Sequence, residues 1–175
     1  MKVQFKDLIP AMMWTVLLLV LVEIFGTALF PVIGGYKYRL PFNILIILFL
    51  GFKLETPFLG LLILTIQLVH ALFSVEGWAM GTLAGISVCL IISYLRELIH
   101  FNTIWMTMLI TQLFQIVWFG IVFGLFYMKN NDMIFLIGRF HRFIPESIVI
   151  SLLSPSVFYL LDRVWYARDD RLLDG

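Results

Sequence analysis

The sequence has few charges and a single cysteine, and both shortages limit what the chain can be. Only 13% of its 175 residues are charged and 62% are apolar, against about 25% and about 45–50% in an ordinary soluble domain. The net charge of only +1 does not create the positive electrostatic potential that would attract nucleic acid or a strongly acidic partner. With one cysteine, Cys89, a disulfide within the chain is excluded. This composition predicts an all-α integral membrane protein with almost no soluble part.

Sequence motifs for chemistry are also missing. Three histidines, His70, His100 and His141, fall in different segments, and no Cys or His cluster has the spacing of a metal site. There is no glycine-rich phosphate loop with Lys and Ser or Thr, and no acidic cluster suited to Mg²⁺. Because the polar loops are too short to build a preorganised site, we expect no enzyme activity, no cofactor and no metal.

Long apolar runs predict six membrane spans in one domain. A helix needs about 20 residues to cross a hydrocarbon core of about 30 Å. The second run, Leu40 to Phe52, makes a helix of only about 20 Å, so it crosses only if neighbouring residues join it or the bilayer thins. The predicted spans are 8–30, 40–52, 57–74, 78–95, 101–128 and 143–161, followed by a cytoplasmic tail, 162–175.

The segment before the last span has a different pattern. Met133 to Phe143 is apolar but is interrupted by Gly138, Arg139, His141 and Arg142. That mixture predicts a short amphipathic helix lying along the membrane surface. Pro145 is then expected to open span six, because proline is tolerated in the first turn of a helix.

The distribution of basic residues predicts the orientation. Cytoplasmic loops carry an excess of Lys and Arg, and six spans place both termini on one side. That side holds Lys2, Lys6, Lys53, Arg96, Arg163, Arg168 and Arg171, whereas the other holds Lys37, Arg39, Lys129, Arg139 and Arg142. Both termini are therefore expected in the cytoplasm.

Three polar side chains are predicted to lie inside the membrane. A carboxylate there costs at least about 2.5 kcal/mol on insertion scales for Asp, so Glu23 in span one needs a partner, a proton or water. Gln67 and His70 stand three residues apart on span three, and Ser74 follows on the same helical face. Two interpretations stay open: these groups bind an ion or a solute, or they tie helices together by hydrogen bonds.

Small and amide residues repeat at helical spacing on spans four and five. Glycines four residues apart form the small-xxx-small pattern that lets two helices touch. Glutamines three apart share one helical face. Each set is predicted either to pack helices within the bundle or to dock a partner's span. The candidates are Gly77, Gly81, Gly85, Gln112, Gln115, Gly120 and Gly124.

Several parts of the chain follow one another in a recognisable order: a long first helix, a short second helix that opens with Leu40–Ile46 (LPFNILI), Gly60, the turn at Gly77, Ser93–Arg96 (SYLR), and Pro155 ahead of a basic tail. This order resembles the rod shape-determining protein MreD family over residues 40–163. That family often has an acidic residue late in its third helix, where this chain has Gln67, Val69 and His70, so a role for such a carboxylate is not carried over.

This resemblance implies a non-catalytic scaffold of the bacterial cell-elongation machinery, which directs peptidoglycan synthesis, in the cytoplasmic (inner) membrane. Its implied partners are membrane lipid and MreC, a single-span periplasmic protein. The wider complex would include the actin-like MreB and the glycosyltransferase RodA with its transpeptidase.

An alternative function uses the same layout. The vitamin-binding S-components of energy-coupling-factor transporters also have six spans and lack their own ATPase, and a shared fold does not separate the two functions. A solute-binding subunit should converge Glu23, His70 and Trp78 on an outward-facing pocket. A proton-coupled transporter that uses Glu23 and His70 is disfavoured, because the chain shows no repeated halves.

Overall fold

A computed structural model describes residues 5–32, 40–54, 56–74, 78–95, 103–130 and 133–166. These residues form helices and a few short turns, so the all-helical prediction is confirmed for the described part of the chain. Their order is α1 (Phe5–Val32), α2 (Phe42–Lys53), α3 (Leu59–Ala71), α4 (Trp78–Leu95), α5 (Ile104–Asn130) and α6 (Met133–Tyr166).

Four of the helices are long and apolar enough to span a membrane, which indicates a membrane protein. Their spanning segments are Leu8–Ala28, Trp78–Leu95, Ile104–Met128 and Ile137–Trp165. The other two, α2 and α3, have 12 and 13 residues, so they are only about 18 and 20 Å long. Six complete crossings therefore remain a prediction.

The short helix α2 lies at the centre of the bundle. All residues from Asn43 to Gly51 are buried, and Leu45, Ile47 and Leu50 are completely inaccessible. The other five helices form a closed ring, α1–α3–α4–α5–α6, and each of them contacts α2. A helix that is apolar on every side is expected where protein surrounds it. Since α2 lies against protein, its length does not have to match the lipid thickness.

Close packing holds α2 against α4 on one side and α5 and α6 on the other. A Cβ added to Gly51 would lie 2.9 Å from the Cys89 sulfur, so only glycine allows this approach. Across the helix, the Phe49 ring meets Phe158 edge-on at 5.7 Å between centroids. Phe52 meets Phe114 in the same way at 5.5 Å. These contacts place α2 in register with the helices around it.

Contacts between helices define two ends of the bundle. Trp165 Nε1 donates a hydrogen bond to Thr15 Oγ1 at 3.1 Å, and Lys53 Nζ lies 2.9 Å from Asp162 Oδ1. The first part of α1 therefore lies beside the last turns of α2 and α6. We call this the basal end of the bundle, and the opposite one the distal end.

The structure corrects the prediction for the segment Met133 to Phe143. It is not a separate surface helix, and span six does not begin at Pro145, because α6 is one helix of 34 residues with Pro145 and Pro155 inside it. A proline inside a helix leaves one carbonyl without its usual donor. At Pro155 that carbonyl belongs to Ser151, and it accepts a hydrogen bond from Ser154 Oγ at 2.7 Å.

Contacts with α5 explain why the helix continues through this segment. The Phe119 ring of α5 stacks on Phe143 at 4.2 Å between centroids and lies 6.0 Å from Phe140. The Arg139 guanidinium lies 5.1 Å from the centre of the Phe126 ring, a cation–π geometry. Packing against a neighbouring helix thus overrides the local preference for a break at Pro145.

We predict that truncation of α2 destabilises the whole bundle. Ile47→Ala should lower the free energy of unfolding by about 2–5 kcal/mol, because it leaves a cavity at a closed site. Cys89 provides the readout, since its thiol is only 5% exposed and becomes reactive as the bundle opens. The measurement is maleimide labelling of Cys89 across a series of SDS mole fractions.

Leu90→Ala is the matched control for this prediction. Its side chain is 60% exposed, so the free energy of unfolding should change by no more than about 0.5 kcal/mol. Equal effects of the two substitutions would contradict the central position of α2.

Candidate functional site

Glu23 and His70 form a pair between α1 and α3 towards the distal end. His70 Nδ1 lies 2.6 Å from Glu23 Oε1, and the two side chains are 15% and 11% exposed, respectively. This hydrogen bond satisfies a polar group within an apolar segment and offsets part of the cost of placing it there. The pair thereby fastens the first helix to the third.

Gln67 lies one turn before His70 and faces α4. Its side chain is 1% exposed, and its Oε1 and Cδ occupy the space where a side chain at Gly81 would begin. Its Nε2 has no hydrogen-bond partner within the part of the chain that the structure describes. The amide fits here only because position 81 has no Cβ.

Gly85 has a similar packing role one turn further along α4. A Cβ at this position would lie 2.8 Å from Ile63 Cγ2 of α3 and 3.3 Å from the Trp118 ring of α5. Gly81 and Gly85 therefore bring α4 into close contact with two neighbours. Gly77, the first glycine of the predicted series, lies outside the described residues.

Gln112 and Gln115 lie between α5 and α6, where they bond to two serines. Gln112 Nε2 donates to Ser147 Oγ at 3.1 Å, and Gln112 Oε1 accepts from Ser151 Oγ at 2.7 Å. Gln115 Nε2 donates to Ser151 Oγ at 3.0 Å. The amides thus hold two helices of the same chain together, and they are engaged within the bundle.

Sequence reasoning identified the glutamines but missed these serines. Ser147 and Ser151 stand four residues apart and Ser154 follows three later, so all three share one face of α6. That spacing was an available signal. It was weak, because a serine in an apolar helix often bonds only to its own backbone, as Ser147 also does with the Ile144 carbonyl at 2.9 Å.

Gly120 and Gly124 have a different environment from the α4 glycines. Nothing lies within 4 Å of a Cβ added to either one, and both are exposed. Leu113 and Ile116, which precede them on the same side of α5, are 56% and 55% exposed. We call these four residues the α5 face. Within the described residues, it is a small-xxx-small surface that no helix covers.

Trp78, the third residue expected in a solute pocket, is 51% exposed at the start of α4. Among the residues described here, no three His, Cys, Asp or Glu side chains are grouped as a metal would require.

Comparison with known proteins supplies no relative: no family model, no curated protein and no solved structure matches the chain.

We predict opposite outcomes for the same substitution at two glycines. Gly81→Ala should destabilise the protein by about 1–3 kcal/mol, because the new methyl group overpacks the site against Gln67. Gly120→Ala meets open space and should be neutral or stabilising by up to about 1 kcal/mol, since alanine is the better helix former. The measurement is the SDS unfolding midpoint.

The double variant Gln67→Ala, Gly81→Ala tests the cause. Removing the amide makes room for the methyl group. The double variant should therefore lose less unfolding free energy than the two single variants lose together. Additive effects, or equal losses at positions 81 and 120, would contradict the contact between Gln67 and Gly81.

We also predict an energetic coupling between Glu23 and His70. In a double-mutant cycle with Glu23→Ala and His70→Ala, the coupling energy should be about 0.6–2 kcal/mol, the range of hydrogen bonds between membrane helices. Thr27→Ala is the control partner for His70→Ala, because among the described residues the Thr27 hydroxyl bonds to backbone of its own helix and not to His70. A coupling of zero in the first cycle would exclude the pair.

Proposed function

We propose that this protein is a non-catalytic membrane scaffold of the MreD type, which binds a partner's transmembrane helix in the plane of the membrane. The observation that carries this proposal is the outward position of Gly120 and Gly124. The other described candidates, Gly81, Gly85, Gln112 and Gln115, are engaged between helices of the same chain. The α5 face is therefore the surface most suited to a partner.

Membrane physics supports the choice of this surface. In a bilayer, helices associate through close contact of small residues and through hydrogen bonds rather than through the hydrophobic effect. Leu113, Ile116, Gly120 and Gly124 follow one another at intervals of three or four residues, so they form one stripe along α5. The two glycines make a shallow groove in this stripe, into which another helix backbone fits.

The proposal relocates the docking site that the sequence suggested. Gly81, Gly85, Gln112 and Gln115 were candidates for docking or packing, and the structure places all four in contacts between helices. A partner would have to displace those contacts to reach them. Gly120 and Gly124 require no such displacement.

The resemblance to the MreD family supplies the proposed partner and location. MreC, with its single span, is the proposed occupant of the α5 face, and MreB and RodA with its transpeptidase belong to the wider complex. We place the protein in the bacterial inner membrane with both termini in the cytoplasm. The shared basal position of the start of α1 and the end of α6 supports an even number of crossings.

A solute-binding subunit is the second candidate. One observation favours it: Gln67, one turn before His70 on α3, is buried and its Nε2 has no partner among the described residues. Against it, Glu23 and His70 already satisfy each other. A solute would have to compete with that bond for the same two groups.

Co-purification with MreC tests the scaffold proposal. Gly124→Leu places a large side chain in the groove of the α5 face, and we expect recovery of MreC to fall at least about tenfold, equivalent to about 1.4 kcal/mol. Gly26→Leu on α1 is the matched control, because a Cβ there also meets nothing within 4 Å. It should retain MreC at the wild-type level.

Two results would contradict the proposal. If Gly120→Leu and Gly124→Leu together retain MreC fully, the α5 face is not the interface. If the wild-type protein does not hold MreC at all, the scaffold assignment fails. A small solute that raises the melting temperature of the wild type, but not of His70→Ala, would establish the second candidate.

A further inference from the structure

Although the outer helices form a closed ring, α5 and α6 do not pack fully against each other at the basal end. A cleft of about 320 Å³ lies there, bounded by the last turns of α2, the start of α5 and the end of α6. Its walls are largely apolar and include Phe49, Ile104 and Phe158. The cleft therefore gives access from outside the bundle to the end of the central helix.

Two opposite charges lie in this cleft. Lys53 Nζ of α2 is 2.9 Å from Asp162 Oδ1 of α6, and the side chains are 40% and 37% exposed. More than a third of each side chain is exposed, although the Asp162 Oδ1 that faces Lys53 is itself buried, so a polar group reaches the pair from its exposed side. The pair is neutral overall, but it offers one cation and one carboxylate side by side.

Aromatic residues indicate the level of the cleft in the membrane. Trp105 and Tyr159 are 76% and 70% exposed at the same end of the bundle. Such amphipathic rings concentrate at the headgroup level of a bilayer. A cleft with apolar walls and paired charges at this depth matches an amphiphile. The charges suit its charged head, and the walls suit its apolar chain.

We infer that the cleft binds a zwitterionic phospholipid of the phosphatidylethanolamine class. The phosphate lies towards Lys53, the ammonium group towards Asp162, and an acyl chain along Ile104 and Tyr159. Since α5 begins beside the cleft, its positive end also favours the phosphate at that side.

The carboxylate makes the site selective. A lipid with net negative charge would place that charge near Asp162 without an ammonium group to offset the repulsion. Phosphatidylglycerol should therefore bind less well than phosphatidylethanolamine. This inference is independent of the proposed function, because it uses neither the α5 face nor any partner protein.

Native mass spectrometry of the full-length protein tests the inference. The protein is reconstituted in nanodiscs of equimolar phosphatidylethanolamine and phosphatidylglycerol, released in the spectrometer, and its retained lipids are counted. We expect phosphatidylethanolamine to be retained about fivefold over phosphatidylglycerol, which corresponds to about 1 kcal/mol, the scale of one charged side chain at a headgroup. Equal retention of the two lipids would overturn the inference.

Two charge variants have opposite expected effects. Asp162→Asn should shift the preference towards phosphatidylglycerol, because the carboxylate that repels an anionic headgroup is then gone. Lys53→Gln should lower the retention of both lipids. Arg163→Gln is the control, since it removes a neighbouring cation that does not line the cleft, and it should leave the preference unchanged. An unchanged preference in Asp162→Asn would refute the role of the carboxylate.

A steric variant keeps the test decisive if the charge variants do not fold. Ile104→Trp fills the apolar wall without changing any charge, and it should fold because the Ile104 side chain is 64% exposed. We expect it to lose the retained phosphatidylethanolamine. Retention at the wild-type level in this variant would show that the lipid binds elsewhere.

Discussion

Burial of α2 on all sides is the constraint on which the rest of the structure depends. A 12-residue apolar helix is too short to cross a hydrocarbon core of about 30 Å by itself. Here, the other five helices surround it, so its apolar side chains meet protein rather than lipid. Each of these helices has one side towards α2 and one side away from it, which leaves the outer side for lipid or a partner.

The ring around α2 is fastened by a specific contact at each of its five junctions. Three of these contacts are polar: Glu23 with His70, Gln112 with Ser151, and Trp165 with Thr15. The other two junctions are α3–α4 and α4–α5. Gly81 and Gly85 lie directly against side chains of α3, and Gly85 also lies against a side chain of α5. Because these groups are used within the ring, Gly120 and Gly124 on its outside provide a free small-residue surface, and the proposed scaffold function follows from that difference.

The sequence allowed much of the helical layout to be predicted, but not which surface each motif faces. Apolar run lengths indicated six helices and the short α2, whereas its burial on every side depends on contacts distant in sequence. The glycine pairs of α4 and α5 have the same spacing, yet only the α4 pair packs against other helices, because the pattern defines a small face without defining its neighbour. Pro145 was misread for a similar reason: the Phe119–Phe143 contact that holds α6 together has no local signature.

Paramagnetic broadening of backbone amide signals by lipids with a spin label in the acyl chain tests the central position of α2 directly, and it changes no residue. Burial of α2 on all sides predicts uniformly weak broadening from Asn43 to Gly51, with no helical period, and the outward position of Gly120 and Gly124 predicts strong broadening there. A stripe of strongly broadened residues recurring every three or four positions along α2 would place one side of that helix in lipid and contradict its central position.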